Sequence, residues 1–184
     1  MKALEFGAAF KYPFNRPVAM WNILWVFLPV LGWFALLGYG VRIVQGFAKG
    51  DFKELPVMNF SDDMSLGFMM LLKGLPFAIA FMFVTYFFRE VDMMLGGLVE
   101  MFLSLFVVPL LAINFFKKQT VASFFEFKVL NAVFKHFGDY FVALLKSIGL
   151  GLTFLLMWVI LVGIPAGAFT QNIFMADFYR RRVK

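Results

Sequence analysis

The chain alternates between long apolar stretches and short polar ones. Four apolar stretches are at least as long as the roughly 20 residues that a helix needs to cross a hydrocarbon layer of about 30 Å, and they cover residues 17–41, 64–88, 93–116 and 140–176. They lack the alternation of transmembrane β-strands, so we predict that they are helices. The pattern therefore predicts an all-α, polytopic integral membrane helical bundle, with residues 1–184 forming a single membrane domain.

The first and last stretches leave the number of helices open. Residues 17–41 form an uncharged run, longer than the apolar core of a signal peptide, and predict an uncleaved first membrane helix. A re-entrant hairpin within residues 18–47, broken near Pro29 and Gly32, is the alternative. The last stretch exceeds a single crossing and is interrupted at Gly163-Ile164-Pro165. Four long membrane segments, or up to six helices with re-entrant hairpins, satisfy the pattern.

Between residues 117 and 139 the pattern changes to that of an amphipathic helix. On a helical wheel one side carries Lys117, Lys128, Asn131, Lys135 and Asp139, and the other carries Phe127, Leu130, Val133, Phe134 and Phe137. We predict an interfacial helix in the headgroup plane, with Lys117, Lys128 and Lys135 facing anionic lipid. A helix packed on a soluble partner protein is the alternative.

Composition supports lipid as the main solvent of the chain. The sequence is 62% hydrophobic and 15% charged, with a mean hydropathy of +0.86, whereas a soluble domain carries about 25% charged residues. The net charge is +6, but the basic residues lie in short stretches between apolar runs. The positive-inside rule explains this distribution better than nucleic-acid binding does, so we expect no nucleic-acid partner.

The distribution of basic residues also predicts an orientation. Lys2, Lys11 and Arg16 precede the first apolar run, and Arg180, Arg181, Arg182 and Lys184 end the chain. We therefore predict a multi-pass protein of the inner, cytoplasmic membrane with both termini in the cytoplasm. Four simple crossings would place residues 117–139 outside, against the rule. Two re-entrant hairpins would return every basic segment to the cytoplasm.

Two charged residues lie inside apolar runs and are candidate functional residues. Glu100 is the stronger candidate, because an acidic group in hydrocarbon normally faces the bundle interior and is paired or protonated. It predicts an ion or proton relay or a substrate contact, with a structural hydrogen bond as the alternative. Lys73 can extend its long side chain to the surface. A hairpin turning near residues 89–92 would separate the two by roughly 12 Å in depth, so we expect no direct ion pair.

No catalytic arrangement is visible in the sequence. Cysteine is absent and His136 is the single histidine, which excludes disulfides, thiolate nucleophiles and two-histidine metal sites. We expect no enzyme, no metal and no cofactor. The function we predict is a non-enzymatic subunit or scaffold that packs against partner membrane proteins or a second copy of itself. The alternative is a small transporter or channel that uses Glu100, and an intramembrane lipid enzyme is a third hypothesis.

Several short motifs resemble one known family. They are Gly38-Tyr39-Gly40-Val41-Arg42, Gly50-Asp51, Leu55-Pro56, Gly138-Asp139-Tyr140, and the ending from Gly163-Ile164-Pro165 to Phe178-Tyr179-Arg180. Together they resemble the small polytopic prokaryotic membrane proteins catalogued as domain of unknown function 4013. The resemblance implies a helical membrane fold in bacteria or archaea and transfers no site residue, because the family brings no established activity. Val57-Met58 departs from the pattern, since members often carry an acidic or aromatic residue there.

Overall fold

The computed structural model describes residues 2–183, and within that range it is helical with no strand. Its α-helices are α1 (Phe6–Lys11), α2 (Pro17–Met20), α3 (Leu31–Lys49), α4 (Phe60–Val91), α5 (Met93–Phe102), α6 (Val108–Lys118), α7 (Asn131–Lys135), α8 (Phe137–Leu156), α9 (Gly163–Thr170) and α10 (Ile173–Arg182). Short 3₁₀ segments cover Tyr12–Asn15, Trp21–Phe27, Val121–Phe125, Phe127–Leu130 and Met157–Ile160, and a π-helical turn, Leu103–Val107, joins α5 to α6.

These elements form three helical hairpins. The first covers residues 17–49 and reverses at residues 28–30, the second covers residues 60–118 and reverses at Asp92, and the third covers residues 137–182 and reverses at residues 161–162. Asp92 caps the returning helix of the second hairpin, because its carboxylate accepts a hydrogen bond of 2.8 Å from the backbone N–H of Leu95.

Four helical segments are long and apolar enough to cross a membrane. They are Leu31–Lys49, Phe60–Val91, Met93–Lys118 and Phe137–Ile160. Each leaves at least half of its apolar window uncovered by the rest of the chain. Surface of that kind is stable only where lipid or another apolar partner covers it. The chain is therefore a helical membrane protein, as the sequence predicts.

Close backbone contact holds the first two hairpins together. A Cβ atom added to Gly38 would lie 1.9 Å from the carbonyl oxygen of Asp63, and one added to Gly67 would lie 1.9 Å from that of Phe34. Beside this contact the Asp63 carboxylate is fully buried and accepts hydrogen bonds of 2.5 and 2.6 Å from the guanidinium of Arg42. Small residues and a buried ion pair thus fix how α3 packs on α4.

The open ends of the three hairpins meet at one end of the bundle, which we call the basic end. The backbone N–H of Leu4 donates to the Asp177 carboxylate at 3.1 Å. The guanidinium of Arg181 lies 3.8 Å from the carboxylate of Asp139. The ammonium group of Lys117 sits over the ring of Tyr179 at 5.2 Å. Residues near both termini and the segment from 117 to 139 therefore lie at the same end.

Two expectations about individual helices are wrong. Residues 17–41 do not form one helix, because the chain reverses at Pro29 and Val30 before α3 begins at Leu31. Residues 117–139 do not form one amphipathic helix either. The backbone leaves helical geometry at Thr120, Glu126 and His136, so the segment consists of short turns. Tertiary contacts of the buried Ser123 and Val129 hold these turns in place.

The break predicted in the last apolar stretch is present. The 3₁₀ segment that follows α8 ends at Ile160, and α9 begins at Gly163. A Cβ atom on Gly163 would lie 2.0 Å from the carbonyl oxygen of Phe154, so glycine at this position permits α9 to approach α8 closely. The structure thus has the chain reversals of the re-entrant arrangement rather than four simple helices.

Candidate functional site, a basic cavity

A cavity of about 750 Å³ opens at the basic end, between the turns of residues 121–136 and the C-terminal helix. Six of its lining residues are Lys or Arg, and one is an acid. The lining consists of Asn114, Lys117, Lys118, Glu126, Lys128, Val129, Asn131, Ala132, Lys135, His136, Tyr179, Arg181, Arg182 and Val183. The volume lies within the range of small-ligand sites, and the charge favours an anion.

Asn114 organises one wall of the cavity. Its side chain is fully buried near the end of α6, and its amide nitrogen donates to the backbone oxygen of Ser123 at 2.7 Å. The amide oxygen accepts a hydrogen bond of 2.7 Å from the hydroxyl of Tyr179. Asn114 therefore connects α6, the turn at residue 123 and α10. Leaving a buried polar group without a partner costs about 1–3 kcal/mol, so conformations that break these hydrogen bonds are disfavoured.

The two arginines of the cavity are held by acids behind them. The guanidinium of Arg181 donates to Asp177 at 2.9 Å, and that of Arg182 donates to Asp139. The Asp177 side chain is 3% exposed, so Arg181 is fixed by a buried partner. The contacts with Asp139 connect the end of the third hairpin to its beginning. Much of the charge of both arginines is thereby compensated inside the protein.

Lys128 and Lys135 differ from the two arginines in their surroundings. Both are exposed, both line the cavity, and within residues 2–183 no carboxylate lies within ion-pair distance of either ammonium group. Lys117, by contrast, rests on the ring of Tyr179. The excess positive charge of the cavity is therefore concentrated on Lys128 and Lys135.

Glu126 is the single acid of the lining. Its carboxylate accepts hydrogen bonds from the ammonium of Lys118 at 2.5 Å and from the Asn114 amide at 3.3 Å. These two contacts hold the pKa of Glu126 below its ordinary value. The ionised carboxylate neutralises Lys118 and interacts more weakly with Lys128, which it does not contact.

The aromatic residues of the same segment lie on its outer surface. Phe127, Phe134 and Phe137 are all more than half exposed, while Lys128, Asn131 and Lys135 line the cavity. The separation of lysine and phenylalanine that the sequence predicts is thus present, although it is produced by several turns. Val133 departs from it, because its side chain is buried in the protein.

Neither Glu100 nor Lys73 lines the basic cavity, and the two side chains have different partners. The Glu100 carboxylate pairs with the guanidinium of Arg89 across the second hairpin, near its tip, and both side chains are more than one-third exposed. Lys73 donates to the backbone oxygen of Gln119 at 3.0 Å. The expectation that these residues form no direct ion pair is confirmed. Glu100 also lines none of the four cavities described for residues 2–183.

Sequence reasoning identifies Lys117, Lys128 and Lys135 but not the residues that complete the cavity. Arg181 and Arg182 do not indicate a cavity in the sequence, because a basic run near the end of a chain equally predicts a solvated cytoplasmic tail. Asn114 is a single polar residue at the end of an apolar run. The one available signal is the combination of Asp139 and Asp177 with the C-terminal arginines, which could indicate ion pairs.

Comparison with known proteins addresses the identity of the chain. No curated protein and no solved structure matches it. The resemblance carried by the motifs between Gly38 and Pro165 is nevertheless confirmed, whereas the motif Phe178-Tyr179-Arg180 lies beyond the matched residues. The model of a family described as protein of unknown function (DUF4013) matches residues 22–165, and the chain belongs to this family.

Proposed function

We propose that the protein is a non-enzymatic membrane subunit or scaffold that binds the phosphate headgroups of anionic lipids in the basic cavity. The observation that carries the proposal is the charge of Lys128 and Lys135, which line the cavity and have no carboxylate within ion-pair distance among residues 2–183. Lysine ammonium groups bind phosphate oxygens through charge-assisted hydrogen bonds.

The neighbouring phenylalanines favour a lipid over a soluble anion. Phe127 and Phe134 are exposed on the segment that carries the two lysines. In a membrane such side chains insert into the boundary between headgroups and acyl chains. The cavity then lies at headgroup depth, with acyl chains beside it. A site for a soluble anion does not require an apolar surface at its rim.

The proposal includes an orientation. The basic end gathers the N-terminal region, the segment from 117 to 139 and the C-terminal helix. Because basic segments are retained on the cytoplasmic side, we propose that the basic end and both termini face the cytoplasm. The cavity would then meet the inner leaflet, where anionic lipids give the surface a negative potential.

The scaffold role rests on the second hairpin. Only 11% of the most apolar window of α4 is buried within the chain, so most of this helix is available to a partner membrane protein or to a second copy. Cysteine cross-linking in native membranes at Phe83, which is 72% exposed, should give a recurrent product. Monomers alone would contradict the scaffold role and leave lipid binding standing.

The contacts of Glu100 do not favour a transport function. Glu100 is the residue that a permeation path would use, but its carboxylate pairs with Arg89 close to the charged tip of the second hairpin. Both side chains are partly exposed there. The position suits a structural ion pair at the membrane surface rather than a site inside the bundle.

Lipid binding is tested with the purified protein in neutral detergent. Native mass spectrometry would compare binding of phosphatidylglycerol, which is anionic, with binding of zwitterionic phosphatidylcholine. At about 1 kcal/mol per basic residue near the headgroups, the double variant Lys128→Gln/Lys135→Gln should bind phosphatidylglycerol about 30-fold more weakly. Its binding of phosphatidylcholine should not change.

A matched control removes the same charge elsewhere. Lys11 and Lys53 are exposed and lie outside the cavity, so Lys11→Gln/Lys53→Gln should bind phosphatidylglycerol within twofold of the unmodified protein. Equal losses in both double variants would show that only net charge matters. That result would refute the cavity as the binding site.

A further inference from the structure

We infer that the first and third hairpins end inside the hydrocarbon layer, where lipid acyl chains cover their tips, and that the second hairpin carries the chain to the far side of the membrane. The two tips lie at the opposite end of the molecule from the basic cavity. Their position in the hydrocarbon layer does not depend on headgroup binding in the cavity.

Both tips are apolar and uncovered. No charged residue lies between Arg16 and Arg42 or between Lys146 and Asp177. At the first tip Phe27 is 80% exposed, and at the third Val159 is 90% exposed. Tips that emerged into water on the far side would present these side chains to solvent, which is unfavourable for a contiguous apolar surface.

Four backbone N–H groups at the two tips have hydrogen-bond partners within the tips themselves. At the first tip the N–H groups of Leu28 and Leu31 donate to the carbonyl oxygens of Trp25 and Pro29 at 3.0 and 2.8 Å. At the third tip the N–H groups of Leu161 and Val162 donate to the carbonyl oxygens of Trp158 and Ile160 at 2.8 and 2.7 Å. Pro29 has no N–H to satisfy. Internal pairing of this kind is what hydrocarbon demands and water does not.

The residue types at the two reversals also indicate a hydrocarbon environment. Val30 and Leu161 both have a positive φ, of 65° and 60°. Reversals in water use glycine, asparagine or aspartate at such positions, whereas these two carry apolar side chains that are more than half exposed. The indole N–H of Trp33 donates to the carbonyl oxygen of Val26 at 2.9 Å, so it needs no water.

The distance from each tip to the nearest charged residue of its long helix also agrees with a tip that stops short of the far surface. In the first hairpin α3 rises about 17 Å between Arg42 and Leu31 at 1.5 Å per residue. In the third hairpin the helix rises about 21 Å between Lys146 and Ile160. Both distances are less than the roughly 30 Å of a hydrocarbon layer.

The second hairpin has the opposite properties. Its tip carries Arg89, Glu90 and Asp92 within four residues, and charges of this density require water. Helix α4 contains 32 residues and is about 48 Å long. It is therefore long enough to place its charged tip beyond the hydrocarbon layer.

The test uses single cysteines, which the cysteine-free sequence allows without further changes. The variants Phe27→Cys, Val159→Cys and Val91→Cys replace exposed side chains, and Lys53→Cys reports the basic end. A membrane-impermeant maleimide is applied to proteoliposomes and to inside-out vesicles. Val91→Cys should react from one side and Lys53→Cys from the other. Phe27→Cys and Val159→Cys should react at least tenfold less from either side and fully after denaturation in SDS.

A depth measurement provides the second readout. A bimane fluorophore attached at position 27 or 159 should be quenched most by lipids brominated deep in the acyl chains. Reaction of either tip cysteine from the side that labels Val91→Cys would overturn the inference, as would quenching only by headgroup quenchers. Failure of the lipid-binding test at Lys128 and Lys135 would leave these outcomes unchanged.

Discussion

Substitution of Gly38 by alanine should separate the first two hairpins. The added methyl group would lie 1.9 Å from the carbonyl oxygen of Asp63 and 2.8 Å from the backbone nitrogen of Gly67. Both atoms belong to the backbone of α4, so no side chain can rotate away. Ordinary contact begins near 3.4 Å, and the two helices must therefore move apart by about 1.5 Å.

The separation has two energetic consequences. Overpacking of this kind costs about 1–3 kcal/mol. In addition, the hydrogen bonds of 2.5 and 2.6 Å between Arg42 and Asp63 would lengthen towards 4 Å unless the side chains readjust. Because Asp63 is fully buried, weakening its pairing adds about 2 kcal/mol, which is part of the roughly 3–5 kcal/mol that breaking a buried pair costs. Alanine favours a helix over glycine by about 1 kcal/mol, so we expect a net destabilisation of about 2–4 kcal/mol.

The same helix offers a matched control. A Cβ atom on Gly40 would have no neighbour within 4 Å, so Gly40→Ala gains the helix propensity without the clash. Reversible unfolding in mixed detergent micelles would compare the two variants with the unmodified protein. If Gly38→Ala proves as stable as Gly40→Ala, the close contact between α3 and α4 is wrong.

Two further predictions concern the wall of the cavity. Tyr179→Phe removes the hydroxyl that donates to Asn114 at 2.7 Å, and it should lower the free energy of unfolding by about 1–2 kcal/mol; an unchanged value in detergent unfolding would contradict that hydrogen bond. Because the pKa of Glu126 is lower in the folded protein, its contribution to stability is present above its unfolded pKa and is lost as the pH falls through the folded value. Thermal unfolding between pH 6 and pH 3 should therefore depend less on pH in Glu126→Gln, and equal slopes would refute this contribution.

Much of the fold follows from the sequence because hydropathy and breaker residues are local signals. The second apolar stretch is predicted at 64–88 and lies within α4, Phe60–Val91. The turn between the second and third stretches is predicted near residues 89–92, and α5 begins at Met93. Pro29 and Gly163 mark the two reversals, although the sequence alone does not decide between a reversal and a kink.

The cavity was less predictable because its walls come from distant parts of the chain. Lys128 and Lys135 are identified by helical periodicity, yet the segment that carries them is not one helix. The hydrogen bond from the Asn114 amide to the backbone oxygen of Ser123 holds the first of its turns against α6. A wheel diagram assumes regular geometry, so it separates the two faces of the segment without revealing that one of them closes a cavity with Arg181 and Arg182.

The basic end both fixes the fold and supplies the proposed ligand site, and different residues perform the two tasks. Lipid solvates apolar side chains about as well as a protein interior does, so bundle packing depends on close backbone contact and on polar pairs. Asp177 and Asn114 provide such pairs at the basic end and are buried, which makes any substitution there a test of stability. Lys128 and Lys135 are exposed, and no ion pair to a described residue depends on them. Their replacement therefore alters the charge of the cavity and leaves the packing intact, and a loss of lipid binding in that variant reports on the site itself.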